Sequence, residues 1–362
     1  MSRIAVYSIA KNEAANAERF MAACRDADTV IVGDTGSTDN TVEILRDLGA
    51  TVIPIRVMPW RFDTARNAVL ASVPAVFDLC FALDLDEYPQ PGWRDHIEPV
   101  WDGVKHSRLW FRYVHSFSDA GAPLNVGIKG FAHNRNGYIW KHRVHEDIYW
   151  QGNPAAEQHL RIPEIVVEHH QIPQQHRDLY TELLKEECAS ETVTSRHVFW
   201  LCRELLRQQE WQSLLASCKA FLSYTTSWHV EKAHCLIMQA VALRQTGKPQ
   251  DAIKSYLQAC DAAPQDREPW FEFGRMFYNT KQWAQAYGMF SQCLQISQRA
   301  DHYLTSDNAW DYWPHYMAAV CMHKIGSPQV AATHAAAAAN YTTTPRHLQA
   351  LLQELQPYLQ KV

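Results

Sequence analysis

The pattern of hydrophobic and polar positions changes character near residue 175. Before that point, short runs rich in β-branched and aromatic residues alternate with segments of helical period. Four runs fit strands buried on both faces: Arg3–Ala10, Asp28–Asp34, Ala50–Val57 and Asp78–Asp86. Helical periods separate them, over 12–26, 37–49 and 62–73. This alternation predicts βαβ units and a mostly parallel sheet covered by helices on both faces.

From about residue 176 onward every segment has a helical period, and part of this region repeats. Four residue pairs lie 34 positions apart, the tetratricopeptide period: Gly247 and Lys281, Pro249 and Trp283, Ala252 and Ala286, and Tyr256 and Phe290. The segment Trp270–Phe277, WFEFGRMF, resembles the W-x-x-L-G-x-x-Y signature of this repeat. The segments that begin at Trp200 and Trp313 fit degenerate flanking repeats. We therefore predict two domains, residues 1–175 and residues 176–362.

Composition indicates a folded chain without a membrane segment. The 362 residues are 47% hydrophobic and 20% charged, which suffices for two ordinary domains. No apolar run approaches the roughly 18 residues of a membrane helix, and the N-terminus enters a strand pattern at once, so we expect a cytoplasmic protein. The nine cysteines lack paired spacing. We predict reduced core thiols, and neither a disulfide framework nor a zinc site.

Polar residues follow the predicted strands, and in open parallel sheets ligands bind beyond the carboxyl ends of the strands. Asp84 and Asp86 stand at the end of the fourth run, and Glu87 follows it. Because residues i and i+2 of an extended chain point to the same side, Asp84 and Asp86 are expected to aim at one point, as a hard divalent cation requires. An isolated Asp-x-Asp more often serves helix capping or solubility. Here Arg66, on a nearby predicted helix, can neutralise a diphosphate.

Four segments in this order resemble family 2 glycosyltransferases of the GT-A fold. They are SIAKNEAANAERF (8–20), VIVGDTGSTDNTVEIL (30–45), WRFDTARNAVL (60–70) and FALDLDEYPQPGW (81–93). The helical second half makes the chain similar to a bacterial and phage group in which tetratricopeptide helices follow a short GT-A domain, the sublancin-type S-glycosyltransferase group. The resemblance implies inverting, metal-dependent sugar transfer from a nucleotide-sugar donor. It implies a UDP-hexose as donor and Mn²⁺ or Mg²⁺ as cofactor.

The resemblance also assigns roles to residues of this sequence. Those expected to bind the donor nucleotide are Ala10, Asn12, Glu13, Asp34, Gly36, Ser37, Arg66, Asp84 and Leu85. Within this set Asp34 contacts the base and Asp84 the ribose, while Asp86 is the direct metal ligand.

Two assignments downstream stay open between neighbouring residues. The segment 140–150, WKHRVHEDIYW, resembles the region that carries an acidic catalytic base. Either Glu146 or Asp147 can align with that base, and we favour Glu146. A histidine is expected to complete the metal shell, with His145, His169 and His170 as candidates. Only one of the adjacent His169 and His170 can face the site in an extended strand, and we favour His170.

The sequence leaves the acceptor open. A peptide or protein bound near the helical repeats suits the second domain, and a saccharide suits the wider family. A modified base in DNA is less favoured, because the net charge of −5 offers no global attraction to phosphates. A catalytically inactive scaffold that docks a partner protein is the alternative function, although intact Asp84, Asp86 and Arg66 argue against it. A nucleotidyltransferase is disfavoured, because no glycine follows the first strand. The repeats could also serve an oligomer.

Overall fold

The computed structural model describes residues 2–117, 123–170, 177–190, 193–225, 227–300, 302–341 and 345–359. The chain divides into two compact units, Met1–Glu187 and Cys188–Val362. The boundary predicted between residues 175 and 176 falls in the segment 171–176, outside the described residues.

The first unit alternates strands and helices as the hydrophobic pattern predicts. Its elements are β1 Ile4–Ala10, α1 Ala14–Ala23, β2 Thr29–Asp34, α2 Thr41–Asp47, β3 Thr51–Pro54, α3 Phe62–Ser72, β4 Leu79–Ala82, β5 Glu87–Pro89, α4 Trp93–Ile97, β6 Arg108–Phe117, β7 Pro123–Asn134, β8 Tyr138–Lys141, β9 Asp147–Trp150, β10 His159–His169 and α5 Arg177–Cys188. A short 3₁₀ helix, Pro154–Ala156, precedes β10.

One eight-stranded sheet organises this unit, in the order β3-β2-β1-β4-β7-β6-β10-β5. The first four strands are parallel to one another. Strand β7 is antiparallel to both β4 and β6, and β10 is parallel to β6 but antiparallel to β5. Six strands therefore run in one direction, which confirms the prediction of a mostly parallel sheet.

Strand β1 lies in the middle of the first unit, with both of its faces buried. Ile4 and Val6 belong to one core layer with Phe20 and Phe81. Tyr7 belongs to the opposite layer, and its hydroxyl oxygen lies 2.9 Å from the indole nitrogen of Trp140, which donates to it. Burial on two faces explains the continuous apolar run of this strand. It also fixes the carboxyl end of β1 beside those of β2 and β4.

The second unit consists of helices. They are α6 Ser195–Gln208, α7 Trp211–Leu222, α8 His229–Gln245, α9 Pro249–Ala262, α10 Arg267–Asn279, α11 Trp283–Gln295, α12 Asp307–Trp310, α13 Trp313–Lys324, α14 Pro328–Ala339 and α15 Arg346–Leu359. Among the described residues, no helix is long and apolar enough to cross a membrane.

Four of the interhelical turns in this unit share one geometry. Gln209, Gly247, Lys281 and Gly326 all have positive φ, between 57° and 82°, and in each case the next helix begins two residues later. A residue in the left-handed conformation ends a helix because it lets the backbone N–H groups that follow donate to the last carbonyl groups of the helix. The pairs α6–α7 and α13–α14 repeat the turn of α8–α9 and α10–α11. The flanking repeats predicted from sequence therefore form helical hairpins like the central ones.

Gly274 and Gly288 offer a matched test of helix packing in this unit. They lie inside α10 and α11, where alanine is intrinsically favoured by about 1 kcal/mol. A Cβ at Gly274 would lie 2.6 Å from the buried Phe290 ring, whereas one at Gly288 meets nothing within 4 Å. We expect Gly288→Ala to raise the free energy of unfolding by about 0.5–1 kcal/mol and Gly274→Ala to lower it by about 1–3 kcal/mol. Chemical denaturation measures both, and shifts of the same sign would contradict this packing.

Candidate active site

The loops that follow β1 and β2 interlock at the carboxyl edge of the sheet. The backbone N–H groups of Gly36 and Ser37 donate to the Asp34 carboxylate, at 3.2 and 3.1 Å. The Asn12 side-chain oxygen accepts from the Thr38 N–H at 2.7 Å, and the Asn12 N–H donates to the Ser37 hydroxyl at 3.0 Å. Gly36 has a φ of +104°, a backbone conformation that residues with a side chain rarely adopt. The nucleotide-side residues predicted from the two strands therefore meet in one hydrogen-bonded loop pair.

Glu13 extends this edge toward the acidic cluster. Its N–H donates to the Thr41 hydroxyl at 2.7 Å, and its carboxylate accepts from the Asn16 amide at 2.7 Å. Burial raises the pKa of Glu13. The Asn16 hydrogen bond opposes that rise in pKa, and the negative charges of Asp86 and Asp84 add to it. Glu13 is thus electrostatically coupled to the Asp-x-Asp motif.

Ala10 and Leu85 contribute packing and backbone groups. The Ala10 carbonyl accepts from the N–H and the hydroxyl of Thr35, at 2.9 and 3.0 Å. Leu85 is buried in the same core layer as Val6, so its side chain faces away from solvent. Both residues border the site, and their side chains carry no group that could react.

The Asp-x-Asp motif adopts a turn, which differs from the predicted extended chain. Strand β4 ends at Ala82, and the Glu87 N–H donates to the Asp84 carbonyl at 3.0 Å. The two carboxylates consequently have different partners. Asp84 pairs with Arg66, and Asp86 contacts His169. The extended chain expected at the motif is therefore wrong, although both acids lie at the predicted edge.

Arg66 joins the motif to the segment before β9. Its guanidinium is buried and donates to Asp84 Oδ1 and to Glu146 Oε1, each at 2.6 Å. It also lies 4.9 Å from the centre of the Trp140 ring. Burial by itself lowers the pKa of Arg66, but the charges of Asp84 and Glu146 outweigh burial and raise it well above its usual value. Arg66 therefore remains a cation that holds two carboxylates in place.

A pair of hydrogen bonds fixes the helix that carries Arg66. The Asn67 amide donates to the Trp140 carbonyl and accepts from the Trp140 N–H, both at 2.9 Å. Helix α3 is thereby attached to the edge of β8. This attachment brings Arg66 and Glu146, which are 80 positions apart in sequence, into contact.

The side chains of the two candidate base residues bind different arginines. Glu146 faces Arg66, and its side chain is 11% exposed. The adjacent Asp147 begins β9 and accepts from Arg108 at 3.3 Å and from its neighbour's N–H. Glu146 thus shares a cation with the Asp-x-Asp motif, while Asp147 binds a different arginine.

The candidate metal histidines also differ in orientation. His169 Nε2 lies 3.1 Å from the Asp86 carboxylate. The Nε2 atom of the neighbouring His170 lies 2.9 Å from the Glu168 carboxylate and 3.0 Å from the Arg19 guanidinium. The backbone N–H of His170 donates to the Asp86 carbonyl at 2.9 Å. The side chain that faces the Asp86 carboxylate is therefore that of His169, and not that of His170, the residue favoured from sequence. Burial by itself lowers the pKa of His169, and the Asp86 contact outweighs this and raises it.

His145 directly precedes Glu146 in sequence and lies near helix α5. Its ring centre is 6.1 Å from that of Tyr180, which in turn lies 5.3 Å from the Phe62 ring. His145 has φ +51°, an uncommon value for a residue with a side chain. Tyr180 is partly buried and was not among the residues predicted from sequence. No motif marks this tyrosine, because its position depends on where α5 packs.

Lys129 is a second cation at the acidic cluster, and it was not predicted from sequence. Its ammonium group donates to the buried Glu87, which also accepts from the Tyr113 hydroxyl at 2.7 Å. Burial raises the pKa of Asp84, but Arg66 first and Lys129 next outweigh burial and lower it. Within the described contacts, Arg66 pairs with Asp84 and Glu146, Lys129 pairs with Glu87, and the Asp86 carboxylate contacts only His169, so four carboxylates face two permanent cations. The cluster therefore keeps an excess of negative charge.

Comparison with known proteins concerns mainly the first third of the chain. Residues 6–103 match the family model described as Glycosyl transferase family 2. An uncharacterized glycosyltransferase of Rickettsia felis is 36% identical over 109 residues, which are 30% of this chain and 37% of that protein. Another from Rickettsia prowazekii is 34% identical over 109 residues, covering 30% and 36% of the two chains. The chain thus spans little more than a third of the length of these relatives.

Solved structures resemble parts of the chain weakly. The crystal structure of TTC0263, a thermophilic TPR protein of Thermus thermophilus, is 15% identical, with a TM-score of 0.36 and coverage of 50% of this chain and 90% of that one. Glucosyl-3-phosphoglycerate synthase from Mycobacterium tuberculosis, in complex with Mn²⁺, UDP and phosphoglyceric acid, is 18% identical, with a TM-score of 0.36 and coverage of 51% and 78%. These scores carry no chemistry over to this chain. The family-model match therefore places the similarity to glycosyl transferase family 2 in residues 6–103 of the first unit.

Proposed function

We propose that the first unit transfers a sugar from a nucleotide-sugar donor to a nucleophilic acceptor, with inversion at the sugar. The observation that carries this proposal is the convergence of three groups at one sheet edge. The negative charges of Asp39 in the loop after Asp34, of Asp84 in the Arg66 network and of Asp86 beside His169 all act on Glu13, which relates the three groups to one another. Together they offer acceptors for a nucleobase, a carboxylate for proton transfer and ligands for a cation.

A divalent cation fits the residues present. Asp86 and His169 supply a carboxylate and an imidazole whose nearest polar atoms are 3.1 Å apart, and the surrounding cluster has excess negative charge. Carboxylate oxygens suit Mg²⁺ and Mn²⁺, while imidazole suits transition metals, so this mixed pair favours Mn²⁺. When bound, such an ion would supply positive charge to the donor's diphosphate. We propose Asp86 and His169 as its protein ligands, in place of the His170 favoured from sequence.

The other side chains bind the donor and orient the acceptor's proton. Asp34 can accept an N–H of a uracil base, and Asn12, Ser37 and the Asp84 carboxylate surround the place of the nucleoside. Glu146 accepts the proton of the acceptor's nucleophile as it attacks the face of the sugar opposite the diphosphate. Arg66 holds Glu146 in one orientation through its 2.6 Å hydrogen bond, so the base does not have to be ordered during reaction.

We propose UDP-hexose as the donor and a peptide or protein as the acceptor. The acceptor proposal rests on the helical repeats of the second unit and on the resemblance to the sublancin-type group. Nucleic acid is disfavoured by the net charge of −5. The inactive-scaffold alternative is disfavoured because a scaffold has no need of a buried arginine between two carboxylates beside an Asp-x-Asp turn.

Calorimetric titration with UDP, GDP and dTDP, with and without Mn²⁺, tests the donor site directly. We expect UDP to bind with a dissociation constant between about 1 µM and 1 mM, as is common for enzyme substrates. Binding should weaken at least tenfold without Mn²⁺, because Asp86 and its neighbours would then face an uncompensated diphosphate. Failure of all three nucleotides to bind would favour the scaffold function, and preference for GDP or dTDP would contradict the choice of uracil.

The adjacent histidines provide a matched pair of variants. His169→Ala is expected to weaken Mn²⁺-dependent UDP binding by at least tenfold, because loss of a residue that only supports a metal ligand already costs about 10–100-fold in metal affinity. His170→Ala should change it less than about threefold, because His170 is engaged with Glu168 and Arg19. The same calorimetric titration measures both variants. The reverse order of effects would restore the sequence-based preference for His170.

A further inference from the structure

Three cysteines of the helical unit converge in its core. Cys202 on α6, Cys218 on α7 and Cys235 on α8 are fully buried, and their sulfur atoms all lie within 4.8 Å of one another. They are separated by 16 and 17 positions in sequence, which is no recognised ligand spacing, so the sequence predicts only ordinary core thiols here. Among the described residues, the other six cysteines join no cluster of three potential metal ligands. The convergence results from the stacking of three successive helices.

The spacing of the sulfur atoms suits a thiolate metal site. Three thiolates at about 2.3 Å from a metal in a trigonal plane lie about 4.0 Å from one another. The observed limit of 4.8 Å therefore requires a contraction of less than about 1 Å. Side-chain rotation within an existing core can supply a movement of that size. No helix has to be displaced by a full turn.

The hydrogen bonds of these thiols are weak. The Cys218 sulfur donates to the Cys235 carbonyl at 3.7 Å, and the Cys235 sulfur donates to the Cys218 carbonyl at 3.9 Å. A buried thiolate is costly unless a cation compensates it. The cluster combines three closely spaced sulfur atoms with full burial.

We propose that Cys202, Cys218 and Cys235 bind one thiophilic d¹⁰ metal ion, Zn²⁺ or Cu⁺, which ties α6, α7 and α8 together. Soft thiolates select these ions over Mg²⁺ and Mn²⁺, so the site would not compete for the cation of the sugar-transfer centre. On binding, each S–H bond breaks, the proton leaves to water, and each sulfur donates an electron pair to the metal. No oxidation or reduction takes place. Because the site is closed to solvent, the ion enters as the helices fold and is retained afterwards.

Metal analysis of the purified full-length chain, followed by refolding with defined ions, tests this proposal. We expect about one Zn²⁺ or Cu⁺ per chain, and a sulfur-to-metal absorption band after refolding of the metal-free chain with Cd²⁺. Cys218→Ala should lower bound metal at least tenfold. Cys260→Ala, which removes an equally buried thiol on α9, should leave the metal content unchanged. Melting of the wild-type chain should occur at higher temperature after refolding with Zn²⁺ than with a chelator.

The outcomes separate a metal site from simple packing. A wild-type chain that contains no metal, gives no Cd²⁺ band and melts at the same temperature with and without Zn²⁺ would overturn the proposal. Equal metal loss in the Cys218 and Cys260 variants would also overturn it, because the binding would then depend on general thiol content. If Cys218→Ala does not fold, Cys202→Ala and Cys235→Ala replace it. These results are independent of nucleotide binding in the first unit.

Discussion

Asp86→Ala is expected to lower the rate of sugar transfer by about a thousandfold or more while leaving the fold intact. Loss of a metal ligand removes several kcal/mol of charge stabilisation on the leaving diphosphate, and each 1.4 kcal/mol corresponds to about a tenfold change in rate. The variant should also lose the Mn²⁺-dependent part of UDP binding. Release of UDP from UDP-glucose and calorimetric titration measure the two effects.

The structure explains why stability should survive this substitution. The Asp86 side chain is 23% exposed and contacts His169, while its carbonyl accepts from the His170 N–H. Alanine keeps that backbone hydrogen bond, so the melting temperature should change by no more than a few degrees. Asp47→Ala, at the exposed end of α2, is the matched control and should retain activity. An Asp86→Ala protein that still transfers sugar in a Mn²⁺-dependent way would move the metal site elsewhere.

The sequence predicts well those parts of the site that depend on parallel strands. Buried runs identify β1, β2 and β4, and adjacent parallel strands bring their carboxyl ends together. Ala10 is therefore opposite Asp34 in register. The contact of Asn12 with Ser37 follows from this pairing of neighbouring strands. The 34-residue spacing of four residue pairs likewise predicts the repeats of the second unit.

The parts that the sequence could not predict depend on irregular or distant backbone. The register of β10 against β6 shifts between Ile162 and Val166, which changes which residues of the strand face the site. The alternation of side chains along the strand therefore does not predict which of His169 and His170 faces the site. Lys129 approaches the acidic cluster from β7, an antiparallel strand, and no local pattern identifies its partner Glu87. The turn at Asp84 likewise follows from the Glu87 backbone hydrogen bond.

The cysteine cluster illustrates the same limit in the helical unit. Helical periodicity predicts that Cys202, Cys218 and Cys235 are buried, and the structure agrees. Periodicity does not predict that residues on three helices meet, because that depends on the length of each turn between them. A spacing of 16 or 17 residues becomes informative only once the hairpins are in place.

Glu146→Gln is expected to reduce transfer about 10²–10⁴-fold, the usual contribution of a general base. Glutamine keeps an oxygen for Arg66, so affinity for UDP should stay within about threefold of wild type. Asp147→Asn should retain near-normal rates, since Asp147 is hydrogen-bonded to Arg108 and not to the Arg66 network. Release of UDP from UDP-glucose, with and without acceptor, measures these rates. Near-normal activity of Glu146→Gln would place the base elsewhere.

Azide separates a lost base from a disturbed site. Azide is a nucleophile that carries no proton at neutral pH, so its attack on the sugar needs no general base. We expect azide to restore UDP release by Glu146→Gln, with formation of a glycosyl azide. It should not restore activity to Asp86→Ala, because the leaving diphosphate there still lacks its cation. If azide fails with Glu146→Gln although UDP binds normally, Glu146 serves to orient Arg66, and proton removal must be assigned to another group.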